Sequence, residues 1–108
     1  MRVPSLNKRP TLTLRPLLEA INRRDPDLGR QVRRAASSVA LCLDEGSQRT
    51  GRDRLHFYRV AAGSAAEART ALALASAWGY VTEKDAAPAH TLLDRIVAIL
   101  WRLTHPRR

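Results

Sequence analysis

Apolar residues in this chain recur every three or four positions and nowhere alternate in twos. Strict alternation is the mark of a half-buried strand, and a three-to-four spacing is the mark of one face of a helix. The sequence therefore predicts an all-α fold with no sheet. The first helix is expected from Leu12 or Thr13 to Arg24, with Thr13 as N-cap and Pro16 in its first turn. Leu14, Leu17, Leu18 and Ile21 form its inward face. Asp25-Pro26-Asp27 breaks that helix and starts the next, which is expected to end at Glu45 with Gly46 as a left-handed C-terminal glycine. Its stripe is Leu28, Val32, Ala35, Val39, Cys42 and Leu43. Leu41 falls instead among the polar residues and points to a second buried contact.

A third helix is expected from Arg52 to Trp78, stopped by Gly79. Phe57, Val60, Ala61, Ser64, Ala68, Ala71, Leu72, Ala75 and Trp78 make its principal stripe. The reverse side carries Ala62, Ala66, Ala73 and Ala77. These alanines fit a solvated face of good helix formers and an intersubunit contact equally well. Thr82 caps a fourth helix that runs to Thr104, apolar over an arc wider than one core stripe, with Trp101 opposite Leu92. Such a helix has a second surface to bury, which predicts oligomerisation. Short connections make consecutive helices antiparallel neighbours. The expected architecture is an up-down-up-down four-helix bundle over residues 11–105, flanked by a flexible basic arm at 1–10 and a basic tail at 106–108.

At 108 residues the chain has room for one core. It carries 19 Lys and Arg against 10 Asp and Glu, a formal net charge of +9. That excess attracts phosphate, and 17 of the 19 basic residues are arginine, whose planar fork matches phosphate oxygens. The bundle topology collects Arg23, Arg24, Arg30, Arg33 and Arg34 at one pole. Lys8, Arg9, Arg49, Arg52, Arg54, Arg102, Arg107 and Arg108 gather at the other. Phosphate binding and simple solubility explain these arginines about equally. Aromatic residues are few, which argues against base-specific recognition and for backbone or shape contact.

Other chemistry has little support in the sequence. Cys42 is alone, so no intrachain disulfide forms, and its stripe position predicts a small core residue. His56, His90 and His105 lack partners at metal-ligand spacing. Gly46 to Asp53 imitates a phosphate-binding loop but has Arg52 and Asp53 where the lysine and hydroxyl belong. The carboxylates form no recognisable acid–base pair, and ion pairing accounts for them. No catalytic residue, metal or cofactor is expected. The longest apolar stretch, Leu92 to Leu103, is broken by charges and too short to span a membrane. A cytoplasmic protein without a targeting segment is expected.

Two runs carry a family likeness. Gln31-Val32-Arg33-Arg34-Ala35-Ala36-Ser37-Ser38-Val39 leads to Glu45-Gly46, and Phe57-Tyr58-Arg59-Val60-Ala61-Ala62-Gly63-Ser64-Ala65-Ala66-Glu67 is followed by Gly79-Tyr80. Over residues 28–81 their order and spacing resemble the four-helix bundle proteins of the 23S rRNA intervening-sequence family. The usual proline and asparagine before Glu45-Gly46 are absent, and the first helix lacks the usual aromatic. The resemblance implies a bundle that assembles into a ring, commonly a pentamer. It also implies similarity to the accessory protein of diversity-generating retroelements, a basic bundle that binds nucleic acid and a reverse transcriptase. On shared positions, Gly63 and Ser64 would permit close helix contact. Glu45 would pair with an arginine or cap structure near the turn, and Arg33 and Arg34 would meet phosphate or pair across subunits with Glu67 or Asp44.

The expected function is a non-enzymatic homo-oligomer that binds RNA or DNA backbone through Arg30, Arg33, Arg34, Arg49, Arg52 and Arg54. Leu41, Ala62, Ala66, Ala73 and Trp101 are the candidate subunit contacts. The alternative is a protein-interaction scaffold with incidental charge.

Overall fold

The computed structural model describes the backbone of residues 4–106 and the side chains of residues 9–106. Its elements are α1 (Pro4–Arg24), α2 (Pro26–Ser47), α3 (Gly51–Ala77) and α4 (Glu83–Thr104), with no strand among the described residues. Each helix packs on its sequence neighbour, and α1 closes the bundle against α4. At 1.5 Å per residue the 27-residue α3 is about 40 Å long, which accounts for a molecule of 43 × 21 × 20 Å. The antiparallel four-helix bundle is the expected fold.

The start of α1 differs from expectation. It begins at Pro4, not at Leu12 or Thr13, so residues 4–10 continue the helix instead of forming an arm. Pro10 and Pro16 both lie inside it, and each removes one backbone hydrogen bond. Pro10 is fully buried, and that packing offsets part of the loss. The remainder of the expected arm, residues 1–3, and the tail residues Arg107 and Arg108 lie outside the described residues.

The turns follow local chemistry closely. Asp25 accepts a hydrogen bond from the Leu28 amide at 3.0 Å and so caps α2. Its other carboxylate oxygen accepts from the Tyr80 hydroxyl at 3.4 Å, tying the α1–α2 turn to the α3–α4 turn. Burial, then the charge and hydrogen bond of Asp25, hold the Tyr80 phenol above its ordinary pKa. Replacing Asp25 with alanine is expected to cost about 1 kcal/mol, read as a lowered urea midpoint with unchanged slope. At the end of α3 the Gly79 amide donates to Ser76 O at 3.0 Å and the Tyr80 amide to Ala75 O at 2.9 Å. Gly79 makes that closure at φ +78, where a Cβ is strained. Gly79→Ala is expected to lose about 1 kcal/mol in the same assay. Thr82 caps α4 through the Asp85 amide at 3.0 Å.

Two clusters of buried residues fill the interior. One joins Leu14, Leu17 and Ile21 of α1 to Leu28, Val32, Leu72 and Leu93. The second, nearer the α2–α3 turn, joins Val39, Leu43, Tyr58, Ala61, Ala65, Ile96 and Leu100. The inward line of α3 is Tyr58, Ala61, Ala65, Ala68, Ala71, Leu72 and Ala75. Phe57 is only half-buried, while Val60 and Trp78 are exposed, contrary to the expected stripe. Apolar residues occur all round α3, so spacing alone does not fix which side faces inward. The side with five alanines, Tyr58 and Leu72 packs in the core, and Val60, Leu74 and Trp78 are left outside. Cys42 is half-buried against the second cluster rather than fully enclosed.

Gly46 has a different role from the one expected. It lies inside α2, is buried, and does not adopt positive φ. A Cβ there would stand 2.7 Å from Tyr58 Cε1 and 3.2 Å from Phe57 Cβ. The absence of a side chain there lets α2 pack directly against Phe57 and Tyr58 of α3. The positive-φ glycine of that connection is Gly51, at φ +57.

Candidate nucleic-acid interface

The inward stripe of α2 (Leu28, Val32, Ala35, Ala36, Val39, Leu43) forces the positions between its members outward. Arg30, Arg33 and Arg34 lie there, three and four positions apart, with Ser37 one turn further on. Together with Asp27 and Gln31 they line a shallow furrow of about 550 Å³. Arg30 pairs with Asp27 across one helical turn. Arg33 and Arg34 are exposed and form no ion pair among the described residues, with Glu67 and Asp44 included. This furrow presents two uncommitted guanidinium groups side by side, with one carboxylate in its lining.

The second arginine group does not form a comparable surface. Arg49 donates through Nε and Nη2 to Glu45 Oε2, at 3.1 and 2.7 Å, and lies over the Phe57 ring at 5.5 Å. The Glu45 hydrogen bond and charge raise its pKa further. Glu45 thus meets an arginine as expected. Arg54 donates to the carbonyls of Gly46 at 3.2 Å and Ser47 at 3.3 Å, closing the C-terminal end of α2. Only Arg52 of the three is exposed without a hydrogen bond to another described residue. Arg49 and Arg54 therefore serve the α2–α3 turn. The Glu45–Arg49 spacing could have shown the first pairing in the sequence. Nothing local signals the second, because Arg54 reaches carbonyls eight and seven positions back.

The candidate subunit contacts are spread over three helices. Leu41 is 70% exposed and Trp101 58%. Trp101 stacks on His105, with ring centroids 4.2 Å apart and planes 10° from parallel. Ala73 is exposed in a groove between α3 and α4, whereas Ala62 and Ala66 are half-buried and Ala62 packs on the inner cluster. Gly63 faces open space and makes no close helix contact, a correction to expectation. Ser64 does make one, donating to Ser38 Oγ of α2 at 2.8 Å.

Among the described residues no three His, Cys, Asp or Glu side chains gather where they could hold a metal ion. No helix among them is long and apolar enough to cross a membrane.

Comparison with known proteins agrees with the architecture. No curated protein matches the chain. A crystal structure of a protein of unknown function from the S23 ribosomal protein family of Bacteroides thetaiotaomicron VPI-5482 superposes with a TM-score of 0.85. The two share 16% identity, and the match covers 95% of this chain and 98% of the other. At that identity the likeness is one of fold. The family model described as 23S rRNA-intervening sequence protein matches residues 17–102, from the middle of α1 nearly to the end of α4. A match over most of the bundle, with both sequence runs inside it, means that the chain belongs to the 23S rRNA-intervening sequence protein family.

Proposed function

We propose that this protein is a non-enzymatic, homo-oligomeric bundle that binds the backbone of RNA or DNA through the outward face of α2. The observation that carries the proposal is the Arg33–Arg34 pair, exposed beside Arg30 and paired with no carboxylate among the described residues. A net charge of +9 adds a long-range attraction for polyanions. Assembly as a ring, pentameric in this proposal, would repeat the furrow around an axis and give avidity without new contacts. The exposed Leu41 and Trp101 support such assembly. In this reading the protein works in the cytoplasm as an accessory to a nucleic-acid enzyme such as a reverse transcriptase.

The test is binding of labelled single- and double-stranded RNA and DNA across a salt series. The expected result is a steep fall in affinity with salt, and an Arg33→Ala/Arg34→Ala variant whose log–log slope is shallower by about 2. Absence of binding at low salt would overturn the proposal and leave the scaffold reading, in which Leu41 and Trp101 meet a protein. Trp101→Ala is expected to lower the assembly state measured by light scattering, because it removes an exposed indole from the second apolar side of α4. An unchanged mass would remove α4 from the subunit contact.

A further inference from the structure

The indole of Trp78 is 69% exposed, and Leu74, one turn before it, is exposed as well. Helical spacing fixes the side of α3 on which they stand. Trp78 keeps helical backbone angles, so the spacing of α3 runs on through it. Ser64, which donates to Ser38 of α2, lies fourteen positions earlier, about four turns and so on the same side. Arg69, which reaches Asp94 of α4, lies nine positions earlier, about two and a half turns and so on the opposite side. The indole therefore stands on the edge of α3 that borders α2, away from α4.

That edge leads to the arginine furrow. The two helices are antiparallel, so fourteen positions forward from Ser64 correspond to fourteen positions back from Ser38, at Arg24 and the α1–α2 turn. Side chains confirm the level: the Tyr80 hydroxyl, two residues past Trp78, donates to Asp25 at 3.4 Å. Burial and Asp25 raise the pKa of that phenol, and the nearby charge of Arg24 opposes them. Arg24 is exposed and forms no ion pair among the described residues. Arg30 and Arg34 stand about 8 and 14 Å along α2 from Asp25. Gln31, which lines the furrow between them, is seven positions before Ser38 and so on the side that borders α3. The carboxylates of this strip are engaged, Asp25 as the cap of α2 and Asp27 with Arg30.

An aromatic ring kept in water beside uncommitted guanidinium groups has the composition of a stacking platform. Every base has a π-face, and its flanking phosphates need cations. A second copy of this chain, at +9, would instead bring like charge to the patch. We infer that Trp78 and the α2 furrow form one track for a single strand, with an unpaired base stacked on the indole and adjacent phosphates at Arg24, Arg30 and Arg34. The inference rests on the nucleic-acid reading and adds to it a preference for single strands, because duplex bases already stack on one another. Stacking tolerates any base, so the track has no need of base-specific contacts.

The test measures affinity by anisotropy for a labelled single strand, the same strand made of abasic sites, and a blunt duplex. Trp78→Ala is expected to weaken the intact single strand about tenfold. It should leave the abasic strand, the duplex and the salt slope unchanged, since the indole carries no charge. Trp78→Phe, which keeps a ring, is expected to recover most of the loss. Intrinsic tryptophan emission should be quenched by the intact strand in wild type and not in Trp78→Phe. Circular dichroism checks folding of both variants. Equal wild-type affinity for intact and abasic strands, or an unchanged affinity of Trp78→Ala for the intact strand, overturns the track; salt-dependent binding of either kind keeps the α2 proposal standing. A lower mass of Trp78→Ala in light scattering assigns the indole to a subunit contact and also overturns the track. Absence of binding to every strand overturns both readings.

Discussion

Gly46→Val is expected to destabilise the bundle by about 3 kcal/mol, and Gly63→Ala to stabilise it by about 0.5–1 kcal/mol. Both glycines lie inside long helices, where glycine is ordinarily the poorer choice. At Gly46 a Cβ would stand 2.7 and 2.8 Å from two Tyr58 ring carbons. That ring is largely buried and Phe57 Cβ stands 3.2 Å away at the same point, so packed atoms of α3 must be displaced. Valine adds branched atoms to the same gap. At Gly63 a Cβ meets nothing within 4 Å, so alanine gains helix propensity without a clash. Thermal unfolding should therefore move in opposite directions, with a fall of roughly 10 °C or more for Gly46→Val in a chain of this length. A raised midpoint for Gly46→Val would mean that α2 and α3 do not meet there.

These two residues also show where a sequence stops being informative. Gly46 follows a helical run and precedes a polar loop, which is the local signature of a C-terminal glycine. Its reason for being glycine lies in Tyr58, twelve positions on, and becomes visible only when α2 and α3 are side by side. Gly79 has the same local signature and a local cause, so reading it from the sequence succeeds. The same division holds for the helices. Asp25 and Thr82 act on amides three residues away, and the starts of α2 and α4 follow from them. The start of α1 is not legible, because Pro10 reads locally as a break whereas α1 runs through it, with the Pro10 ring packed in the interior. On α3, alanine and larger apolar residues share every side, so Trp78 reads as core although it is 69% exposed.

The candidate site divides in a similar way. Topology places the two arginine groups at opposite poles, and the helical spacing of Arg30, Arg33 and Arg34 puts them on one outward face. Whether each guanidinium is uncommitted depends on partners in space. Arg54 looks equivalent to Arg33 in the sequence, yet it closes the end of α2 through two carbonyls.

That difference in commitment makes charge reversal at one pole and truncation at the other a sharp test. Arg30→Glu/Arg33→Glu/Arg34→Glu changes side chains that line an exposed furrow and support no element of the fold. Its unfolding midpoint should stay near wild type, because surface substitutions away from caps and cores have small effects. Its affinity for nucleic acid should fall at least about a hundredfold at 0.1 M salt, since three attractive charges become repulsive and the released counterions are fewer. Arg54→Ala should behave oppositely. It leaves the Gly46 and Ser47 carbonyls without their donor and costs about 1 kcal/mol, while nucleic-acid affinity at the furrow is nearly preserved. A triple variant that keeps its affinity, beside an Arg54→Ala protein that loses it without unfolding, would relocate phosphate contact to the α2–α3 turn. The expected dissociation would separate arginines that bind a partner from arginines that hold the helix ends, a distinction that net charge alone does not make.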